Sequence, residues 1–136
     1  MKLNHFANRV ATEHFETVIA MLKDKLGFIE LRRTPKSIWM RQPGANIDLQ
    51  FNSSSTADRD PDKKLSQVSF LSDTPAEALE ELADWVSTKG LEAFVGSYSS
   101  KEFYLDVPVA FVDFVIGLPA SQRALVNIRE GIRVSL

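Results

Sequence analysis

Apolar positions recur at helical spacing in two stretches of the chain. Leu79, Leu82, Ala83 and Val86 follow the i, i+3, i+4, i+7 rhythm of one buried helix face. Ahead of them, Thr74-Pro75-Ala76-Glu77 reads as a helix start, with Thr74 as N-cap, proline at the first helical position and glutamate closing a capping box. Gly90 stands where a glycine ends such a helix, so a helix is predicted over about 75–89. Phe15, Val18, Ile19 and Leu22 form a second stripe that Gly27 terminates, which predicts a helix over about 14–25.

Strand-like runs surround both helices. Residues 3–10 precede the first helix, and 28–33, 37–41 and 47–52 follow it. Residues 67–72 precede the second, and 91–95, 102–105 and 109–116 follow it. A turn at 42–46 separates two of the runs, and Ile47-Asp48-Leu49-Gln50-Phe51-Asn52 alternates apolar and polar as a half-buried strand does. Residues 53–64 have the composition of a solvated linker. In the tail, 117–136, a short helix near 121–129 is expected, and Ile132, Val134 and Leu136 alternate like a strand.

Each half therefore reads β-α-β-β-β, and the halves keep a near-constant offset. His5 and Gln67 are 62 apart, and 63 positions separate Gly27 from Gly90, Gln50 from Asp113, and Phe51 from Phe114. The expected fold is α+β: two tandem βαβββ modules forming a curved mixed sheet, with helices outside and a concave trough inside. One domain spans 1–136, with module 1 about 1–52, the linker 53–64, module 2 about 65–116 and the tail 117–136.

Alternation assigns the faces. Phe6, Ile47, Leu49, Phe51, Val68, Phe70, Val112 and Phe114 are expected under the helices. His5, Ala7, Arg9, Asp48, Gln50, Asn52, Gln67, Ser69 and Asp113 are expected in the trough, a polar lining that suits a ligand or a metal. Trp39, Phe103 and Tyr104 are expected on trough-lining strands, where they could stack on a planar ligand, although core packing is the commoner use of such residues. Arg9 could hold an anionic substrate or neutralise Asp48 or Asp113.

Composition narrows the function. Apolar residues are 44% of the chain, enough for a core, and charged residues 25%. The net charge of -2 supplies no overall basic field for nucleic acid. The absence of cysteine removes disulfides, thiolate metal sites and thiol nucleophiles. No apolar run approaches the roughly 20 residues that span a bilayer, and the N-terminus lacks a signal-peptide pattern, so a cytoplasmic protein is expected. Nothing matches a serine–histidine–acid pattern, a phosphate-binding glycine loop or a dinucleotide fingerprint.

Leu3-Asn4-His5 opening the first strand, Leu26-Gly27-Phe28 after the first helix, and the repeat together resemble the vicinal oxygen chelate superfamily of glyoxalases, extradiol dioxygenases, fosfomycin-resistance and bleomycin-binding proteins. The resemblance covers residue 1 to about 117. Residues 106–113 look like a degraded form of that family's last turn and strand, normally Asp-Pro-x-Gly-Asn-x-x-Glu. It implies one divalent ion (Zn, Ni, Fe or Mn) held at His5, Gln50, Gln67 and Asp113, with Asp113 as ligand or base and Arg9, Asp48, Trp39 and Phe103 around a small oxygen-rich substrate. It also implies a homodimer. Such a protein would be a metal-dependent lyase, isomerase or dioxygenase. The alternatives are a metal-free small-molecule binding protein of the bleomycin-resistance kind and a degenerate scaffold with an interaction role.

Overall fold

The computed structural model describes residues 3–55 and 62–119. Its elements run β1 (His5–Ala11), a 3-10 turn (Thr12–His14), α1 (Phe15–Leu26), β2 (Ile29–Arg33), β3 (Ser37–Arg41), β4 (Asp48–Ser54), a second 3-10 turn (Lys63–Leu65), β5 (Gln67–Ser69), α2 (Pro75–Thr88), β6 (Phe94–Ser97), β7 (Glu102–Asp106) and β8 (Val115–Pro119). Two βαβββ modules result. Their sheets have the same order, β1-β4-β3-β2 and β5-β8-β7-β6, each with one parallel pair and two antiparallel pairs.

The apolar stripes form the core as expected. From α1, Phe15, Val18, Ile19, Met21 and Leu22 are buried; from α2, Leu79, Leu82, Ala83 and Val86. They meet Ile38, Met40 and Phe51 of the first sheet and Leu105, Ile116 and Leu118 of the second in one cluster. Each large apolar side chain contributes about 1.5–3 kcal/mol by leaving water. Gly27 ends α1 with φ 71°, a left-handed conformation that glycine adopts without a Cβ penalty. No helix among the described residues is long and apolar enough to cross a membrane.

Several expectations are corrected. The two sheets do not merge: no ladder joins β1 to β5. β5 is only three residues long, and the outer edge of β1 is taken by the segment before β8. There Ala11 N–H donates to the Ala110 carbonyl at 2.9 Å, Val112 N–H to that of Arg9 at 3.2 Å, and Val10 bridges Phe111. The strand expected at 109–116 is instead this buried irregular segment, and β8 begins only at Val115. The strand expected at 91–95 begins at Phe94, because Leu91 turns inward against the core just after the helix. Phe6, expected under the helices, is 55% exposed.

The capping box does not close. Thr74 makes no side-chain cap bond; instead its own N–H donates to Ser72 Oγ at 3.1 Å. Lys63, expected in a solvated linker, is 7% exposed, and its Nζ donates to the Phe111 carbonyl at 2.6 Å. It also stands 2.6 Å from Asp106 Oδ1, outside hydrogen-bonding geometry, so charge alone holds that pair. From the expected tail, residues 117–119 complete β8; the helix near 121–129 and the alternation at Ile132, Val134 and Leu136 lie outside the described residues.

Candidate functional site

Strand register places the polar residues of module 1 in three rows. His5 lies beside Asp48, which accepts from Arg41 Nε at 2.5 Å. Gln50 sits between Ala7 and Trp39, and Asn52 between Arg9 and Ser37. The rows are tied together: Gln50 Nε2 and Ser37 Oγ each donate to Asn52 Oδ1 at 2.7 Å. Trp39 is half-buried, and the Arg32 guanidinium lies 4.6 Å from its ring centre, within cation–π range.

Module 2 presents a flatter surface at the equivalent place. Ser69 pairs with Gly117, Gly117 with Tyr104, and Tyr104 with Gly96. A Cβ on Gly117 would stand 1.7 Å from Gln67 Oε1, and one on Gly96 would stand 2.4 Å from the Tyr104 ring. The Gln67 amide and the Tyr104 phenol therefore lie directly over bare backbone. Tyr98 packs 4.9 Å from Tyr104, and its hydroxyl donates to the Lys64 carbonyl. Burial, then the neighbouring Tyr104 and Glu102, raises the Tyr98 pKa.

A cleft of about 450 Å³ opens where the modules meet, between β1 and β5. Phe6, Phe28 and Phe70 supply aromatic walls, with Phe28 and Phe70 edge to face at 5.8 Å. Ile47, Leu49 and Val68 add aliphatic surface, while Asn8, Gln42 and Gln67 bring side-chain amides. None of the described residues lining it is ionisable. Its size falls within the range of small-molecule sites, roughly 300–1,000 Å³.

Solved structures share this fold. The chain is similar to a possible glyoxalase from Bacillus cereus (16% identity, 88% of this chain and 98% of that one, TM-score 0.57). It is similar to the fosfomycin-resistance protein FosX of Listeria monocytogenes, complexed with Mn(II) and sulfate (15%, 89% and 90%, 0.58). It is also similar to the bleomycin-binding protein of Streptomyces verticillus, complexed with copper(II)-bleomycin (16%, 90% and 99%, 0.52). The chain shares the fold of these proteins. No family model matches the chain, and no curated protein does.

The four ligands that the sequence resemblance implies do not come together. His5 is exposed, and its Nδ1–H donates to Asn4 Oδ1 at 2.8 Å. Gln50 is tied to Asn52, and Gln67 covers Gly117. Asp113 lies ahead of β8, where its carboxylate accepts from Arg9 N at 3.0 Å and Arg9 Nε at 3.1 Å. Strand register equates Ala7–Gln50 with Ser69–Gly117, so the counterpart of Gln50 is a glycine and not Asp113. The offset is 62 in the first strands, 65 between β3 and β7 and 67 in the last, the final two residues coming from the connection 107–114, which is two residues longer than 42–47.

Of the implied ligands, one imidazole and two amides remain in the trough, and neutral amide oxygens are weak ligands for Zn, Ni, Fe or Mn; the carboxylate beside His5, Asp48, is paired with Arg41. Among the described residues no three His, Asp or Glu side chains gather closely enough to hold an ion. The donor set does not fit a divalent metal.

Of the other expected residues, Asp48 and Trp39 face the trough, and Arg9 is spent on Asp113. Phe103 does not face it: Phe103 pairs with Leu118 and packs on the core, while its neighbour Tyr104 takes the trough position. Sequence reasoning did not single out Gly117, Asn8 or Gln42. The unequal length of the two last connections was the signal that could have placed Gly117.

Proposed function

We propose that the protein binds a small, largely uncharged organic molecule without a metal, as a sequestering protein does. The cleft between β1 and β5 carries this reading: about 450 Å³, with aromatic walls, side-chain amides and no ionisable group among the described lining residues. An apolar cleft with a few fixed polar groups binds by burying ligand surface and orients it through hydrogen bonds. A charged ligand would lose its hydration there with no opposite charge to meet it. The metal-dependent lyase, isomerase or dioxygenase reading finds no support in the donor set. Among similar structures, the bleomycin-binding protein holds an organic ligand, copper(II)-bleomycin, on this fold.

The test is thermal unfolding of chelator-treated protein against bleomycin, copper-loaded bleomycin, fosfomycin and a panel of neutral aromatic compounds. A ligand present at about one hundred times its Kd should stabilise the protein by about 2.7 kcal/mol, a shift of several degrees, and the shift should persist with EDTA present. A ligand whose effect disappears with EDTA and returns with Mn or Zn would overturn the metal-free reading.

A further inference from the structure

The two modules close the junction between them unequally. At one end of the junction, the connection between β7 and β8 lies along the outer edge of β1 as an irregular segment of turn and bend. Its backbone bonds reach Arg9 and Ala11, and Val10 bridges Phe111. The Phe111 ring fills the space behind it, fully buried and stacked 4.6 Å from Phe114. At the other end, the equivalent connection between β3 and β4 is two residues shorter. It runs Gln42-Pro43-Gly44-Ala45-Asn46-Ile47 and carries no aromatic residue. Among the described residues no hydrogen bond or bridge joins it to β5. The cleft lies between this short connection and β5.

Among the described residues, one half of the junction is thus completed by an amide backbone and a phenyl ring from the chain itself, and the other half lacks both. We propose that the open half takes an aromatic ring, with its adjoining amide, from a neutral peptide-like molecule. This rests on the metal-free binding reading above and names the class of its ligand. The ring fits among Phe6, Phe28 and Phe70, where it would also cover the exposed Phe6. The amide finds partners in Asn8 and Gln67, whose side chains each carry both donors and an acceptor, and in Gln42, whose Nε2 already donates to the Leu26 carbonyl at 2.8 Å and which therefore offers chiefly its Oε1.

The experiment is an NMR titration of the full chain with the capped peptide N-acetyl-Val-Ala-Phe-Val-amide, which copies the native filling segment. A control peptide has alanine in place of phenylalanine. Saturable shifts centred on Phe6, Ala45 and Phe70 are expected, with affinity at least about tenfold weaker for the ring-less peptide. Ala45→Phe, at an exposed position on the short connection, should fill the cleft and abolish binding without lowering the melting temperature. Asn8→Leu should weaken binding and serves as the second variant if Ala45→Phe folds poorly. Equal binding of both peptides would overturn the proposal, as would no response at the cleft or full binding by the variants. A chelator-resistant ligand from the thermal screen that still binds Ala45→Phe would sink the cleft assignment and leave the metal-free reading standing. A ligand that needs added metal would sink that reading instead.

Discussion

The side-chain amide of Gln67 occupies the space that a side chain on Gly117 would need, with 1.7 Å between Gln67 Oε1 and the position of a Cβ. Gly117 is also the register counterpart of Gln50, so the trough is asymmetric: an amide on one module, bare backbone on the other. Gln67 is exposed and its amide is the far end of a flexible chain, so it can swing aside. Gly117→Ala should therefore change stability by no more than about 1 kcal/mol, the range of side-chain rearrangement without core damage. The Gln67 side-chain amide resonances should move substantially. A loss of several kcal/mol on denaturant unfolding would show that Gln67 is locked in place.

Arg9 and Asp113 act as a fastener between modules. They lie 104 residues apart, and Asp113 accepts from both the backbone and the side chain of Arg9. The side chains are 48% and 26% exposed, so solvent screens the pair and its coupling should be about 1 kcal/mol. A double-mutant cycle of Arg9→Ala and Asp113→Ala measures it. Zn, Ni, Fe or Mn salts should not alter the result. A metal-dependent loss of stability in Asp113→Ala would return Asp113 to the role of ligand.

The helices and the first module were legible because their apolar periods are clean. The last strand was not, for a physical reason. Ala110, Phe111, Val112 and Phe114 are as apolar and buried as any strand, yet they form an irregular segment that wedges between modules. Apolarity alone does not separate a buried strand from a buried connection. Loss of alternation does not separate them either: Phe111 and Val112 of the connection are adjacent and both buried, and so are Val115, Ile116, Gly117 and Leu118 of β8. Misplacing that strand by several residues put Asp113 where Gly117 stands, and an apparent ligand was read from a residue engaged elsewhere. Phe103 and Tyr104 were not separated for a related reason: one step along a strand exchanges core for trough.

Lys63 shows what composition hides. Its charged neighbours suggested a solvated run, but its ammonium sits against the Phe111 carbonyl and Asp106. It thereby pins the same segment that Arg9 fastens. Asp106→Ala would leave a buried ammonium without its counter-charge, and Lys63→Ala the reverse. Each should cost roughly 3 kcal/mol in chemical denaturation, whereas replacing both partners with apolar residues of similar size should cost less than either single change. Near-neutral single variants would mean that water reaches the pair.

A surface cluster contributes to the acid response of module 1. Glu30 accepts from Lys23 Nζ at 2.9 Å and Arg33 Nη2 at 3.2 Å, and Arg33 Nη1 also donates to Glu16 at 2.6 Å. The hydrogen bond from Lys23 is the largest influence on Glu30; with the charges of Arg33 and Lys23 it outweighs desolvation and holds the carboxyl below its ordinary value of 4.5. A carboxyl whose pKa is depressed by folding contributes stability above its unfolded pKa. That contribution is lost as pH falls through the lower folded value. Carbon-detected NMR titration should place the Glu30 midpoint below 4.5, and Lys23→Ala should move it upward. The Glu30→Gln variant should lose less stability than wild type on acidification from pH about 5 to about 3. An unshifted midpoint in Lys23→Ala would assign the depression to Arg33 alone.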